Sequence, residues 1–335
     1  MRFKTDMVAV VAVALMAVVI AGEYFTYGAE VDRGSDAEWD ASSVRYSISS
    51  GGSDFYSAVL IGAGAYKVPE RFFIYVDDTY SQFYDDACDR MEREGVSPYR
   101  INQREAAEQI EKNLAFRGIR HVNTISSGGL RPLLESGYDF GLVVTSYALP
   151  SSVYAGSADD LFVQWIKAGG TVYWLGSEMG RFYVDGKRLG EVAGSEELFF
   201  GKSGVMCRED ETADEKVDAF TDALRLKNTG ALFGLRGVGH GFGYSYGGYC
   251  SATLLRFGAG MIGVFSGGDQ YEPLDDLGQV IASGLTYDSE LLDYRTGSVV
   301  RGTVHGEMEC GSKDATLYIF MGGTYQHYGK RYHAA

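Results

Sequence analysis

Thr171-Val172-Tyr173-Trp174-Leu175 is a five-residue apolar run entered from Gly169-Gly170 and left through Gly176. A run so short, without alternation and rich in β-branched and aromatic residues, reads as a strand buried on both faces; a buried helix needs about ten residues or more. The segment before it, Ser157 through Leu161, Phe162, Trp165 and Ile166, has apolar residues at helical spacing and stops at the glycine pair. Helix, glycine turn and buried strand make the αβ half of a βαβ unit.

The same pattern recurs outward from this stretch. Phe72–Val76, bounded by Pro69 and Asp77-Asp78, is another continuous apolar run, and His121–Ile125, Phe140–Thr145 and Met261–Phe265 follow at intervals. The intervening helices have readable ends. Asn102 is an N-cap with Glu105 three residues on, Ala106, Ile110 and Leu114 form the apolar face, and Gly118 lies past the end. A third helix is expected from Thr212 with Glu215 through Val217, Phe220 and Leu224. Strands alternating with such helices predict an α/β fold with a doubly wound, mostly parallel sheet.

The ends of the chain differ from its middle. Met7–Ala21 is an unbroken run of fifteen apolar residues preceded by Arg2 and Lys4 and followed by Glu23, Tyr24, Tyr27 and a largely acidic stretch. Extended to Gly28 it reaches roughly 33 Å as a helix, enough for a bilayer. Two readings fit: a transmembrane signal-anchor, or a cleaved signal peptide with the secreted body as its product. Both put the C-terminal domain outside the cytoplasm, and the charge asymmetry keeps the N-terminus inside. Residues 1–28 are thus an expected membrane anchor, 29–65 a polar tether with a short strand around Val44–Ile48, 66–290 the α/β domain, and 291–335 a C-terminal β-hairpin extension. The hairpin rests on alternation through Val300, Gly302, Val304, Gly306, Met308 and Cys310, a turn at Gly311–Asp314, and Ala315–Met321.

With 45% hydrophobic residues and 42 Phe and Tyr, the chain is core-forming. A net charge of -15 argues against nucleic acid, because nothing resembles the basic stripe that neutralises phosphates. The four cysteines, Cys88, Cys207, Cys250 and Cys310, lack C-x-x-C spacing, and the five histidines are scattered, so neither a metal site nor a cofactor is expected. Two disulfides and buried thiols fit the cysteines equally.

Ala168 through Glu178, reading AGGTVYWLGSE after an apolar helix, resembles the helix, turn, strand and elbow of class I glutamine amidotransferase-like domains, the superfamily that includes ThuA-like and DJ-1-like proteins. The resemblance covers roughly residues 70–285 and implies a flavodoxin-type, Rossmann-like fold. Active members carry Gly-x-Cys-x-Gly at the elbow with a nearby His. Here Gly176-Ser177-Glu178-Met179-Gly180 sets Glu178 in the nucleophile's place. A carboxylate is a poorer nucleophile and a better leaving group than a thiolate. The resemblance therefore implies a degenerate member that binds a ligand or cell-envelope partner.

In an open α/β sheet the ligand crevice lies beyond the C-terminal ends of the strands. That selects Asp77, Asp78, Ser146 and Ser177 as candidate ligand-binding residues and Glu178 as a candidate catalytic group. Asp77-Asp78 suits acid/base work, although acids after a strand more often simply cap the next turn. Gly237 to Cys250 sets six glycines among Phe242, Tyr244, Tyr246 and Tyr249, with His240 near its start. Flexible backbone with stacking faces suits a glycan, with Tyr244 and Tyr246 as contacts and His240 as a candidate base; a close-packed ribbon explains the glycines as well. The competing functional reading is an extracytoplasmic hydrolase acting on glycan or peptide through Glu178 with Asp77, Asp78 or His240. It requires those side chains to converge.

Overall fold

A computed structural model describes residues 43–62, 67–176, 178–207, 213, 215–230, 234–265, 272–310 and 315–322. Its central layer is an eight-stranded sheet. In chain order the strands are β1 (Ser43–Gly62), β2 (Arg71–Tyr75), β3 (His121–Ile125), β4 (Phe140–Val144), β5 (Ala148–Pro150), β6 (Thr171–Leu175), β7 (Phe182–Asp185), β8 (Arg188–Glu191), β9 (Glu215–Lys216), β10 (His240–Tyr246), β11 (Tyr249–Phe257), β12 (Gly260–Phe265), β13 (Glu290–Glu309) and β14 (Ala315–Gly322). The helices are α1 (Ser81–Arg93), α2 (Gln103–Phe116), α3 (Ser127–Glu135), α4 (Leu161–Lys167), α5 (Ser195–Phe200), α6 (Ala219–Ala223) and α7 (Glu272–Ser283).

The large sheet runs β3-β2-β4-β6-β12-β11-β10-β9. Its first five strands pair in parallel, and β12, β11, β10 and β9 pair antiparallel. Every residue of β4, β6 and β12 is buried, as their unbroken apolar runs require. One core layer includes Ile74, Val143, Tyr173 and Met261 beneath α1, α2 and α7; the other, including Leu142, Val172, Trp174 and Ile262, packs under α3 and α4. Asn102 caps α2 through Oδ1, which accepts from the Arg104 and Glu105 amides at 3.1 and 3.2 Å.

Several expectations are corrected here. The fold is not a doubly wound, mostly parallel sheet of flavodoxin type: antiparallel pairings outnumber parallel ones, six to five, and two further three-stranded sheets, β5-β7-β8 and β13-β1-β14, flank the large one. Local periodicity reports burial, not strand direction, which is why the antiparallel edge escaped it. The expected membrane-spanning helix is not found among the described residues, where α2, at 14 residues, is the longest helix and none is long and apolar enough to cross a membrane; residues 1–28 themselves lie outside them. The helix expected from Thr212 shortens to α6, because Glu215–Lys216 is strand and Asp218 is the cap, accepting from the Phe220 and Thr221 amides.

The C-terminal strands do not form a hairpin with each other. Within the stretch read as a tether, Ser43–Gly62 inserts between them as β1, pairing with β13 along its length and with β14 over Phe55–Gly62. Glu309 stands opposite Ser43 while Ala315 stands opposite Gly62. Six residues reach at most about 21 Å, whereas a straight strand from Ser43 to Gly62 spans about 63 Å. The ribbon therefore doubles back. It bends where register breaks between Ser50 and Ser53, opposite Arg301 and Gly302 at φ +43° and +156°. Val44, Tyr46 and Ile48 thereby fold over Ala58, Leu60, Leu317 and Ile319 as a small core of their own. The alternate face of β14, Tyr318 and Phe320, joins the main core.

Candidate functional site

β2 has β3 on one side and β4 on the other, so the chain leaves β2 in one direction and returns across it. Crevices form at such switch points beyond the strands' C-terminal ends. Here that end is braced by specific bonds. Thr145 Oγ1 donates to the Tyr75 carbonyl at 2.7 Å, and the Asp77 amide donates to Gln103 Oε1 at 2.9 Å.

Asp77 is 1% exposed. Its Oδ1 accepts the Tyr80 amide at 2.9 Å, while Oδ2 is buried with no hydrogen-bond partner. Burial lifts this carboxyl from 3.8 to about 7; the Tyr80 amide opposes the shift and neighbouring Asp78 adds to it. The Tyr75 hydroxyl is likewise buried and without a partner, its pKa raised well above 10 by burial first and then by Asp77 and Tyr80. Sequence reading passed over Tyr75, because as one aromatic in an apolar run it is indistinguishable from filler.

The other candidates divide. Asp78 points to the surface and pairs with Arg104 Nη2 at 2.9 Å. Ser146 is buried, its Oγ accepting the Ala148 amide at 3.2 Å. Beside it Tyr147 fills the β4 end: its Oη accepts the Tyr99 amide at 2.7 Å, its ring stacks on Tyr84 at 5.7 Å, and a Cβ on Gly176 would meet that Oη at 2.4 Å. Ser177 lies outside the described residues.

Glu178 follows β6 with φ +59°, a left-handed conformation rare for a residue with a side chain, between Gly176 and Gly180 at +86° and +71°. It is 2% exposed, with Oε2 at 3.4 Å from Arg181 Nη1. Arg181 is the residue that sequence reading missed. Its guanidinium also meets Glu191, at 2.8 Å through Nε, and Glu94, and lies 5.0 Å over the Phe182 ring. Three carboxylates from the elbow, β8 and the end of α1 thus share one cation. The only sequence signal was the three-residue spacing from Glu178.

His240 does not join this group. Its Nε2 lies 3.1 Å from Asp218 Oδ2, and its ring meets Phe220 and Phe242 edge-on at 5.5 and 5.8 Å. β10 stands five strand positions from β2, roughly 24 Å at ordinary strand spacing. Tyr244 and Tyr246 lie on that same distant strand, with Tyr246 exposed. Asp77 and Glu178 share one end of the sheet, two positions apart; His240, Tyr244 and Tyr246 form a separate edge. Among the described residues no three His, Cys, Asp or Glu side chains gather to hold a metal ion.

No family model matches the chain, and no curated protein matches it. Among solved structures it has partial likeness to exo-beta-1,4-mannosidase Op5Man5 from Opitutaceae bacterium strain TAV5, at 11% identity and TM-score 0.33, over 66% of this chain and 35% of that one. It has a similar partial likeness to beta-galactosidase from Bacillus circulans sp. alkalophilus, at 14% identity and TM-score 0.33, over 75% of this chain and 35% of that one. The chain thus spans about a third of each of these glycosidases. Likeness this weak leaves activity to be argued from the chain's own residues. The antiparallel half of the large sheet departs from that fold, so the amidotransferase-like assignment is corrected. Its physical basis was too general: any helix passing into a buried strand uses a glycine turn and an apolar run.

Proposed function

We propose that this domain engages a carbohydrate at the C-terminal ends of β2, β4 and β6, with Asp77 as the central contact. One observation carries the reading: Asp77 Oδ2, buried at the switch point, has no partner, and the Tyr75 hydroxyl on the same strand end has none either. Leaving such a group unmatched costs about 1–3 kcal/mol, so it marks a place where something else supplies the hydrogen bond. A carboxyl that keeps its proton near neutrality and a phenol offer uncharged donors, which suit a hydroxyl-rich ligand better than a cation. Placement of the domain outside the cytoplasm, as the charge asymmetry around Met7–Ala21 implies, belongs to the same reading. The test is thermal unfolding of the wild type and Asp77→Asn with a panel of mono- and disaccharides and of di- and tripeptides. A saccharide that raises the wild-type midpoint and not the variant's supports it; no shift, or equal shifts, refutes it.

Hydrolysis of a glycan is a second reading, favoured by the placement of Asp77 and Glu178 at one end of the sheet, two strand positions apart. One holds a proton and the other faces a guanidinium, on strands whose backbones are roughly 10 Å apart. Inverting glycosidases set their two carboxyl groups about 6.5–9.5 Å apart. His240 has no part in it. Reducing-end release from oligosaccharides, lost by at least about a hundredfold in Glu178→Gln, is the expected result. Release unchanged in that variant, or absent from the wild type, removes this reading and leaves the binding one standing.

A further inference from the structure

We infer that β13 is a dimerisation edge on which a second copy of this chain adds antiparallel across a two-fold axis at Gly297. β13 is the outermost strand of its sheet, twenty residues long, and among the described residues no strand pairs with its outer edge. Such an edge offers unpaired amides and carbonyls to another chain. Of the usual guards against pairing, lysine and proline are absent from Glu290–Glu309. Tyr294 and Val300 stand out on one face, 38% and 72% exposed, and Phe55 of neighbouring β1, opposite Ser298 and 71% exposed, extends that apolar patch.

The choice of a second copy rests on self-complementarity. Antiparallel strands related by a two-fold must place one residue on the axis, opposite itself, so the central residue fixes every pair in the register. With the axis at Gly297, Asp293 faces Arg301, Tyr294 faces Val300 and Thr296 faces Ser298, each pair occurring twice. An axis at Ser298 sets Arg295 against Arg301, and one at Val300 sets Asp293 against Glu307, both like-charged. The left-handed backbone at Arg301 ends the pairing segment on that side, which confines the added strand to Asp293–Arg301.

The experiment is sedimentation of the full chain in mild detergent over a concentration series, with Asp293→Arg, Arg301→Asp and the double charge swap. The inference expects a dimer, weakened at least about tenfold by each single change and restored by the swap. Circular dichroism of each variant separates loss of pairing from loss of fold. A monomer at every concentration, whether because the edge is bare or because the chain's own termini cover it, overturns the inference. So does a dimer that folded single variants leave intact.

Discussion

Tyr80 donates its backbone N–H to one oxygen of Asp77 at 2.9 Å and leaves the other oxygen facing buried space. One hydrogen bond does not replace the hydration that a carboxylate loses at 1% exposure, so the group retains its proton up to about pH 7.

This has a signed consequence for stability. The unfolded carboxyl ionises near 3.8 and the folded one near 7, so the contribution is complete below pH 3.8 and is lost as pH climbs through that interval. Asp276, buried in α7 and accepting the Lys227 and Asn228 amides, behaves in the same direction, with its carboxyl raised to about 7. Asp77→Asn, which cannot ionise, should match the wild type near pH 4 and gain on it by about 1–4 kcal/mol towards pH 7, read from urea unfolding at each pH. A constant difference across the range contradicts the shift.

Arg181→Ala removes the cation shared by Glu178, Glu94 and Glu191. Because Glu178 is only 2% exposed, the loss should approach the roughly 3 kcal/mol seen when one partner of a buried pair is removed. Adding Glu178→Gln should recover part of that, and a double-mutant cycle measures the coupling. Independent, additive effects would show that the two do not act as a pair.

Gln279 Oε1 accepts from Arg117 Nε at 3.1 Å and from the Tyr318 hydroxyl at 2.8 Å, joining α2, α7 and β14. Tyr318→Phe should cost about 1 kcal/mol. With Tyr318 and Phe320 packed into the main core, the small sheet should unfold together with the large one in a single transition; two resolved transitions would separate them.

Two glycines should respond in opposite ways. A Cβ at Gly260 would meet the Ile166 and Gly170 carbonyl oxygens at 2.1 and 2.2 Å, so Gly260→Ala must push backbone apart and destabilise. Gly128, inside α3, has nothing within 4 Å, and Gly128→Ala should stabilise by about 0.5–1 kcal/mol in thermal or urea unfolding.

What the sequence made legible followed from burial. His121–Ile125 and Thr171–Leu175 are strands at the expected bounds, and Asn102 caps its helix, because these features are set by neighbouring residues. Pairing across the chain was not legible. Nothing local tells Ser43–Gly62 that it will sit between Glu290–Glu309 and Ala315–Gly322, and the glycine-aromatic stretch of β10 and β11 has no period to read. The site divides in the same way. The strand-end rule finds Asp77 and Glu178, whereas Tyr75 and Arg181 become visible only once folding buries them beside those carboxylates.

The most direct test is an NMR titration of the Asp77 carboxyl carbon in the full chain, with and without the saccharide that best raises the unfolding midpoint. An apparent pKa near 7 that moves further up when the sugar is added is the predicted result. A value near the unperturbed 3.8, indifferent to the sugar, would contradict an uncharged, ligand-facing Asp77.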